Sequence, residues 1–406
     1  MSRVAEIQPA SRVRAWLDEP EVRPLHNSRI LVVEDDLTYR ALLEMTLRKH
    51  GFTEIRTAVD GRDALAQIAA ATPDLVLLDI VMPELDGFAL CRRLRADSRF
   101  ADIPILVQTM LDNAGDRVKA FKCGATDLVT KPINAKEMIA RVSIHLERRL
   151  LIEGLTDYRS RMQDELRLAR QMQHDLLPSA SRLDAIRARY GVDVAGYFEP
   201  CSEVGGDLWG IGTIDDRRFA LYLIDFAGHG VGAALNTFRI QTLMSELWPL
   251  AAEPALLLEN LNQRLCETLS VGQFATIFLA TFDMAYAAIE YAAAGTPSGV
   301  LLAAADAPPA LLDGTGLPLG LMASATYPSR YAALPRGASL VMVSDGLLEA
   351  RDCGGAMLGT TAFMASACRA AGAASAMGIV ETVMADFNQR VRKSPEDDLT
   401  VVCVRG

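Results

Sequence analysis

Two groups of acidic residues hold the chemistry that can be read from this chain. The first comprises Glu34-Asp35-Asp36, Asp79, Thr109 and Lys131-Pro132, all placed at or just after short apolar runs. Carboxylates crowded in an apolar setting repel one another and call for a divalent cation, and an all-oxygen donor set selects Mg²⁺. Asp79 is then placed to attack a phosphoryl donor, with Mg²⁺ and Lys131 balancing charge on the equatorial oxygens and Thr109 hydrogen-bonding the acquired group. An acid after a strand is ordinarily a helix N-cap. Acids on strand one, Asp79 on strand three and Lys-Pro on strand five, in that order, exceed what caps explain.

The second group lies in four turns: Glu203-Val204-Gly205-Gly206-Asp207, Asp225-Phe226-Ala227-Gly228-His229-Gly230, Ser344-Asp345-Gly346 and Glu396-Asp397-Asp398-Leu399-Thr400. Three of these flank strongly apolar strands, so their carboxylates can converge on one sheet rim. Without lysine or arginine partners they cannot all stay ionised unless cations bind. Hard oxygen ligands select Mg²⁺ or Mn²⁺. Two such ions can bridge a water, lower its pKa and present it to a phosphorus atom, with no Ser or Cys nucleophile. The glycines permit close backbone approach and let the Phe226 carbonyl join the coordination shell. Asp-Gly is ordinary turn chemistry, and Ser344-Asp345-Gly346 alone would be read that way; the four turns together reverse that reading.

The elements that must position these residues divide the chain into four parts. Residues 1–27 mix charges with Pro9, Pro20 and Pro24 and read as a loosely ordered arm. Over 28–145, apolar runs at Ile30–Val33, Leu75–Leu78, Ile105–Val107 and Leu128–Val129 alternate with amphipathic stretches such as Tyr39–His50 and Gly61–Ala70. That pattern predicts a doubly wound α/β domain on a five-stranded parallel sheet, whose ligands sit beyond the carboxyl ends of the strands. Residues 146–178 predict a helical linker stopped by Pro178. In it Leu151, Leu155, Tyr158, Met162, Leu166, Ala169 and Leu176 recur at steps of three and four, with one irregular step near Leu166. The seam suits either a coiled coil with a second copy or a helix lying on its own domains. Over 179–406, strands at Phe219–Ile224, Phe274–Phe282, Leu340–Val343 and Leu399–Val404 cluster apart from helices at Ala233–Trp248, Pro254–Leu269 and Ala374–Arg392, predicting an α+β layered domain. Met110, Met138 and Met172 read as packing, His174 as a surface histidine, and Trp209 as either a lid over the metal rim or core.

The 406 residues are enough for two or three domains. Acidic residues outnumber basic ones 51 to 41, a net charge of −10, which argues against a nucleic-acid binder. Half the residues are hydrophobic, yet no apolar run is long enough to cross a bilayer, and Met1–Pro9 lacks an apolar secretory core. Seven scattered cysteines without a Cys-x-x-Cys pair fit free thiols, not a disulfide frame or zinc site. A soluble, cytoplasmic, multidomain protein is expected.

Residues 29–145 resemble a response-regulator receiver domain through ILVVEDD (30–36), LVLLDIVMPELDG (75–87) and the Lys131-Pro132 pair. The resemblance implies Asp79 as phosphoacceptor, Glu34 and Asp35 as the acidic pair with Asp35 the preferred Mg²⁺ ligand, a metal-directed carbonyl from Val81, Thr109 as switch residue and Lys131 as the family's lysine. Leu128 stands where such domains usually carry Tyr or Phe.

From about Arg167 to Arg405 the chain resembles metal-dependent protein serine/threonine phosphatases of the SpoIIE-type branch of the type 2C β-sandwich fold. QMQHDLLP (171–178), EVGGDLWG (203–210), DFAGHGVGAAL (225–235), LPLGL (317–321), SDGLLEA (344–350) and DDLTVVCV (397–404) carry it. It implies Asp225 bridging two Mn²⁺ or Mg²⁺ ions, Asp207 supporting one ion, Asp345 and Asp397 holding the other, and Asp398 in a lesser role. Ala293-Ala294-Gly295-Thr296 replaces the family's Asn-Ala-Gly-His. His229 could protonate a leaving oxygen but is read as capping the following helix.

Together the resemblances imply a two-component response regulator, phosphorylated by a cognate histidine kinase, whose output is a phosphatase. The implied substrate is a phosphorylated anti-sigma-factor antagonist in a partner-switching pathway, with a homodimer formed through the linker helix and no contact with nucleic acid or membrane. The rival expectation is a catalytically weak phosphatase-like adaptor.

Overall fold

The structure is a computed structural model that describes residues 24–110, 114–228, 230–270, 272–295, 299–302, 308–392 and 396–406. His229, Thr296 and all of the N-terminal arm but residues 24–27 lie outside the described residues; Leu25–Asn27 form a 3₁₀ turn. The chain divides into two compact units, residues 1–163 and 164–406.

The first unit alternates β1 (Ile30–Val33), α1 (Leu37–Lys49), β2 (Ile55–Ala58), α2 (Gly61–Ala70), β3 (Leu75–Asp79), α3 (Gly87–Ala96), β4 (Ile105–Thr109), α4 (Ala114–Lys122), β5 (Asp127–Thr130) and the start of α5 (Ala135–His174). The strands form one five-stranded sheet in the order β2-β1-β3-β4-β5, and every pairing is parallel. β1, β3 and β4 are buried throughout, as strands covered on both faces must be. The half-buried edge strand β2 carries Arg56 and Thr57, which is why it gives no apolar run in the sequence. Asp36, Asp60 and Asp86 each cap the next helix by accepting a backbone N–H. Of the acidic triplet after β1, therefore, Asp36 is an N-cap.

α5 differs from expectation in its start. It is one 40-residue helix, so the helix after β5 and the expected linker are continuous, and the division between units falls inside it at Gln163. Proline is absent from the whole span and Gly154 is its single glycine, so nothing breaks the backbone hydrogen bonding before His174.

The second unit adds α6 (Ala180–Tyr190), β6 (Asp193–Glu199), β7 (Leu208–Thr213), β8 (Arg218–Phe226), α7 (Val231–Leu247), α8 (Pro254–Thr268), β9 (Ala275–Asp283), β10 (Ala288–Ala294), β11 (Val300–Leu302), β12 (Ala310–Leu311), β13 (Arg330–Ala333), β14 (Ser339–Val343), α9 (Asp345–Glu349), α10 (Gly359–Ala370), α11 (Ala376–Arg390) and β15 (Leu399–Arg405). Two antiparallel sheets form, β13-β10-β9-β8-β7 and β12-β11-β14-β15-β6. Their facing sides share one core that includes Phe219, Leu221, Phe278 and Phe282 from the first sheet and Leu340, Met342, Val402 and Val404 from the second. The outer face of the first sheet packs under α7 and α8, and that of the second under α10 and α11. The result is a helix-sheet-sheet-helix sandwich. Trp209 is buried in the central core, which settles its role as packing. Met138 is buried too, whereas Met110 and Met172 are exposed, against the expectation that all three pack.

Phe282 stacks on Phe219 across neighbouring strands, ring centroids 4.6 Å apart. Phe282→Ala should cost about 3–5 kcal/mol of unfolding free energy, measured by urea denaturation followed at a wavelength reporting the second unit. A loss below 1 kcal/mol would mean that the sheets close over the gap.

Candidate functional site

In the first unit the carboxyl ends of the strands gather the expected residues. The Lys131 ammonium lies 2.8 Å from Glu34 Oε2 and 2.8 Å from Asp79 Oδ2, with all three side chains buried. Asp79 Oδ1 accepts the Ile80 N–H at 2.7 Å, which fixes the carboxylate plane. Donor atoms of Glu34, Asp35 and Asp79 lie within 4.8 Å of one another. Burial pushes the Glu34 carboxyl above its ordinary range. Burial also opposes the Lys131 charge, but its hydrogen bonds to Asp79 and Glu34 prevail and hold its pKa up. Three carboxyls against one ammonium leave two formal charges uncompensated, which matches one divalent cation, and oxygen donors suit Mg²⁺. The Lys131 ammonium also sits 4.9 Å from the centre of the Tyr39 ring. Thr109 is buried one residue past Gln108, which pairs with Asp79 across β3 and β4. Val81 is exposed two residues beyond Asp79. Leu128 packs partly buried against the core beneath α3.

In the second unit the site forms where one end of both sheets meets. Leu208 pairs with Ile224, so Asp207, just before β7, lies across from Asp225 near the end of β8. Asp345 opens α9 directly after β14, and Asp397 precedes its neighbour β15. Burial pushes Asp225 well above the ordinary carboxyl range, reinforced by Asp207, Asp345 and Asp397. Burial likewise raises Asp207 and Asp345. A hydrogen bond between Asp225 and Asp345 further raises Asp225 and lowers Asp345. The largest charge contributions to these three shifts come from other carboxylates. The electrostatics therefore bring all four aspartates to one rim.

That donor set fits divalent cations: like charges out of water, all-oxygen. The Phe226 carbonyl oxygen lies 2.9 Å from where a Cβ on Gly206 would be, so it crowds the loop that ends in Asp207. Cys201 also has its sulfur within 4.8 Å of the Asp397 and Asp398 carboxylates. Burial and Asp398 push its thiol up to about 12, so oxygen supplies the charge at neutral pH.

Several residues matter here that the sequence reading passed over or ranked low. Asp398 is buried, and its two oxygens accept the Cys201 N–H at 2.8 Å and the Gly206 N–H. It thereby straps the loop leading to Asp207 instead of facing the rim. Thr400 Oγ1 donates to Asp207 Oδ2, and Ser344 Oγ donates to the Asp398 carbonyl at 3.1 Å while accepting the Thr400 N–H at 2.9 Å. Gln173, at the end of α5, bonds both backbone groups of Gly205. Its signal was available: Leu166, Ala169, Gln173 and Leu176 continue steps of three and four, so a polar residue sits on an apolar stripe.

Comparison with known proteins divides the chain in the same way. The "Response regulator receiver domain" family profile matches residues 30–143, and "Stage II sporulation protein E (SpoIIE)" matches 215–406. Asp207 and its glycines precede the second match, so their place in the site rests on geometry. The dual master transcriptional regulator RpaA of Synechocystis is 42% identical over 120 residues, covering 30% of this chain and 49% of that protein. The response regulator PleD of Caulobacter vibrioides is 42% identical over 129 residues, covering 32% and 28%. The chain thus spans half or less of these curated relatives. The solved SiaA-PP2C domain of Pseudomonas aeruginosa superposes with a TM-score of 0.53 at 20% identity, covering 61% of this chain and 98% of that one, a likeness of fold.

Gly346 tests the rim's construction. A Cβ there would collide with the Asp398 backbone carbonyl, and backbone cannot swing aside as a side chain can. Gly346→Ala should cost about 1–3 kcal/mol of stability and weaken Mn²⁺ binding about tenfold or more, since a tenfold loss is only about 1.4 kcal/mol. Calorimetric titration checks this; wild-type affinity in the variant would show that the 397–398 backbone does not shape the rim.

Proposed function

We propose that phosphorylation of Asp79 controls a metal-dependent phosphoserine/phosphothreonine protein phosphatase in the same chain, a reading supported by the match of residues 30–143 to the receiver family and of 215–406 to the SpoIIE family. The observation that carries the reading is the convergence of Asp207, Asp225, Asp345 and Asp397 on one rim of the sandwich, where burial raises Asp207, Asp225 and Asp345 and Asp397 reinforces the shift of Asp225 and Asp345. Asp225, coupled to the other three, is the residue to be shared by two Mn²⁺ or Mg²⁺ ions; Asp207 serves one side and Asp345 and Asp397 the other, with the Phe226 carbonyl close by. When bound, such ions supply a water of lowered pKa and positive charge against the phosphoryl oxygens. Thr400 orients the Asp207 carboxylate by its hydrogen bond, and Asp398 keeps the Gly205–Gly206 backbone seated.

On the receiver side, Asp79 is the acceptor of a phosphoryl group from a cognate histidine kinase, with Glu34, Asp35 and the Val81 carbonyl holding Mg²⁺. Lys131, already between Glu34 and Asp79, exchanges a carboxylate partner for a phosphoryl oxygen, and Thr109 hydrogen-bonds the new group. The output acts on a small phosphoprotein, which we take to be an anti-sigma-factor antagonist in a cytoplasmic partner-switching pathway. Among the described residues no helix is long and apolar enough to cross a membrane.

The path between the two is α5. Ile144, Leu151, Leu155, Tyr158 and Met162 are all exposed, at steps of seven, four, three and four. A seam of period 3.5 on a bare helix is the pattern that pairs with a second copy of itself. Switching a two-state helix pair from 1:99 to 99:1 takes about 5.5 kcal/mol of preference for one state.

Purified protein with Mn²⁺ should hydrolyse p-nitrophenyl phosphate or a phosphoserine protein, and Asp225→Asn should lower the rate roughly a thousandfold or more. Asp79→Ala should leave a basal rate but abolish its response to a small-molecule phosphodonor. Wild type and Asp225→Asn equally inert, with and without receiver phosphorylation, would replace the enzyme by an adaptor.

For the helix pair, sedimentation equilibrium should show a dimer for wild type and a monomer for Leu155→Glu, with helix content by circular dichroism unchanged. A monomeric wild type, or a dimeric variant, removes the coiled coil from the scheme.

A further inference from the structure

At the end of its sheet opposite to Asp79, the first unit holds a polar cavity of about 830 Å³, and every residue lining it belongs to that unit. Ile103 and Pro104 lead into β4 there and Thr126 leads into β5, whereas the acidic site lies past the other ends of the strands. α3 and the chain just after it bring Arg95 and Arg99, and α5 brings Arg148 and Arg149. The volume is that of a small-molecule pocket and far exceeds what an inorganic ion fills.

Two of the four arginines are already neutralised. Arg99 pairs with Asp97 at 2.6 Å, and Arg149 pairs with Glu153 at 2.9 Å. Arg95 differs: its Nε donates to the Gly124 carbonyl at 2.8 Å and its Nη2 to Thr126 Oγ1 at 3.1 Å, both uncharged groups. Its third nitrogen, Nη1, is buried with no hydrogen-bond partner among the described residues. Burial pushes Arg95 below its ordinary value, with Cys91 and Asp102 opposing the shift; the guanidinium stays charged all the same. Arg148 is exposed and makes no hydrogen bond or ion pair among the described residues. A buried guanidinium with an open donor is costly, and its planar fork matches phosphate oxygens. Two unpaired cations equal the charge of one phosphate monoester above its second pKa of about 6. The rest of the lining mixes apolar Ile103, Pro104 and Ile152 with the acceptors Asp102 and Asp157. That suits a flat organic body carrying N–H donors, and those carboxylates would repel the extra charge of a polyphosphate.

We infer that this cavity binds a small phosphate monoester of the nucleoside monophosphate class, its phosphate held by Arg95 and Arg148 and its base by the apolar and acidic part of the lining. Glu34, Asp79 and Lys131 do not line it, and the four aspartates of the rim belong to the other unit. The site therefore stands independently of the phosphatase reading.

The test is calorimetric titration of the full chain in EDTA, which keeps both acidic centres free of metal and prevents turnover of the ligand. The ligands are AMP, GMP, CMP and UMP, with guanosine, ribose 5-phosphate, O-phosphoserine and inorganic phosphate as partial structures. At least one nucleoside monophosphate should bind saturably, one per chain, about tenfold or more tightly than any partial structure. Arg148→Glu reverses one of the two charges, and Arg95→Met keeps the stem and removes the donors. Each should weaken that binding about tenfold or more, the scale of one charge-assisted hydrogen bond, with helix content by circular dichroism unchanged. No saturable binding of any nucleoside monophosphate at millimolar concentration overturns the site, as does wild-type affinity in Arg148→Glu. Inorganic phosphate binding as tightly as the nucleotides leaves a plain anion site and overturns the nucleotide assignment. Tightest binding of O-phosphoserine overturns it in favour of a phosphoprotein. Should Arg95→Met not fold, Arg148→Glu decides alone, because Arg148 is exposed and holds no other group in place.

Discussion

Like charges held together out of water govern both halves of this molecule. In the receiver, Glu34 and Asp79 are buried within 2.8 Å of one lysine, and that ammonium holds the strand ends together without a ligand. The sandwich has a comparable crowd of buried acid. Burial and the neighbouring aspartates raise Asp225 and Asp345 above the ordinary carboxyl range. A buried charge without a partner is costly enough that something must compensate. In the receiver a lysine side chain supplies compensation. Phosphoryl chemistry suits both arrangements, because the incoming group carries the charge that the site is built to handle.

Holding repelling groups at close quarters requires a rigid frame, and here the frame is mainly backbone. Asp398 spends both oxygens on N–H groups of the loop before Asp207, while Ser344 and Thr400 tie β14 to β15 next to Asp345 and Asp397. Gly205 and Gly346 are the places where chain passes against chain with no space for a Cβ. Glycine at these positions is a matter of room, since neither has a positive φ. The rim is thus built from strand ends that hold one another, and the aspartates are carried by them.

Much of this was legible in the sequence, for a physical reason. Strands buried on both faces must be continuous apolar runs, so β1, β3 and β4 announced themselves, whereas the half-buried β2, carrying Arg56 and Thr57, did not. In the sandwich, β8, β9, β14 and β15 were visible as apolar runs, but β6, with Gly196 and Tyr197 among half-buried positions, and β10, rich in alanine, lack the β-branched signal. Acidic turns could be found by type, but which carboxylate faces the rim and which straps a loop depends on hydrogen bonds between residues almost 200 positions apart, as between Gly206 and Asp398. No local pattern encodes that. That the helix after β5 runs on into the linker was not legible, because composition changes near residue 146 while the helical hydrogen bonding continues.

That continuity bears on how a signal could reach the rim. A flexible linker would pass on proximity and nothing else, since its conformational entropy absorbs any rotation at one end. An unbroken helix transmits rotation and register, and α5 ends with a polar residue whose hydrogen bonds are directional. Apolar contacts at that end would tolerate a turn of a few tens of degrees with small loss; an amide paired to both groups of one glycine would not, because hydrogen bonds weaken steeply as they bend. Gln173 is therefore a sharper sensor of helix orientation than the leucines around it. An apolar stripe along the helix offers more than one packing, a directional contact at its end distinguishes among them, and an acidic rim beyond that contact has little tolerance for displacement.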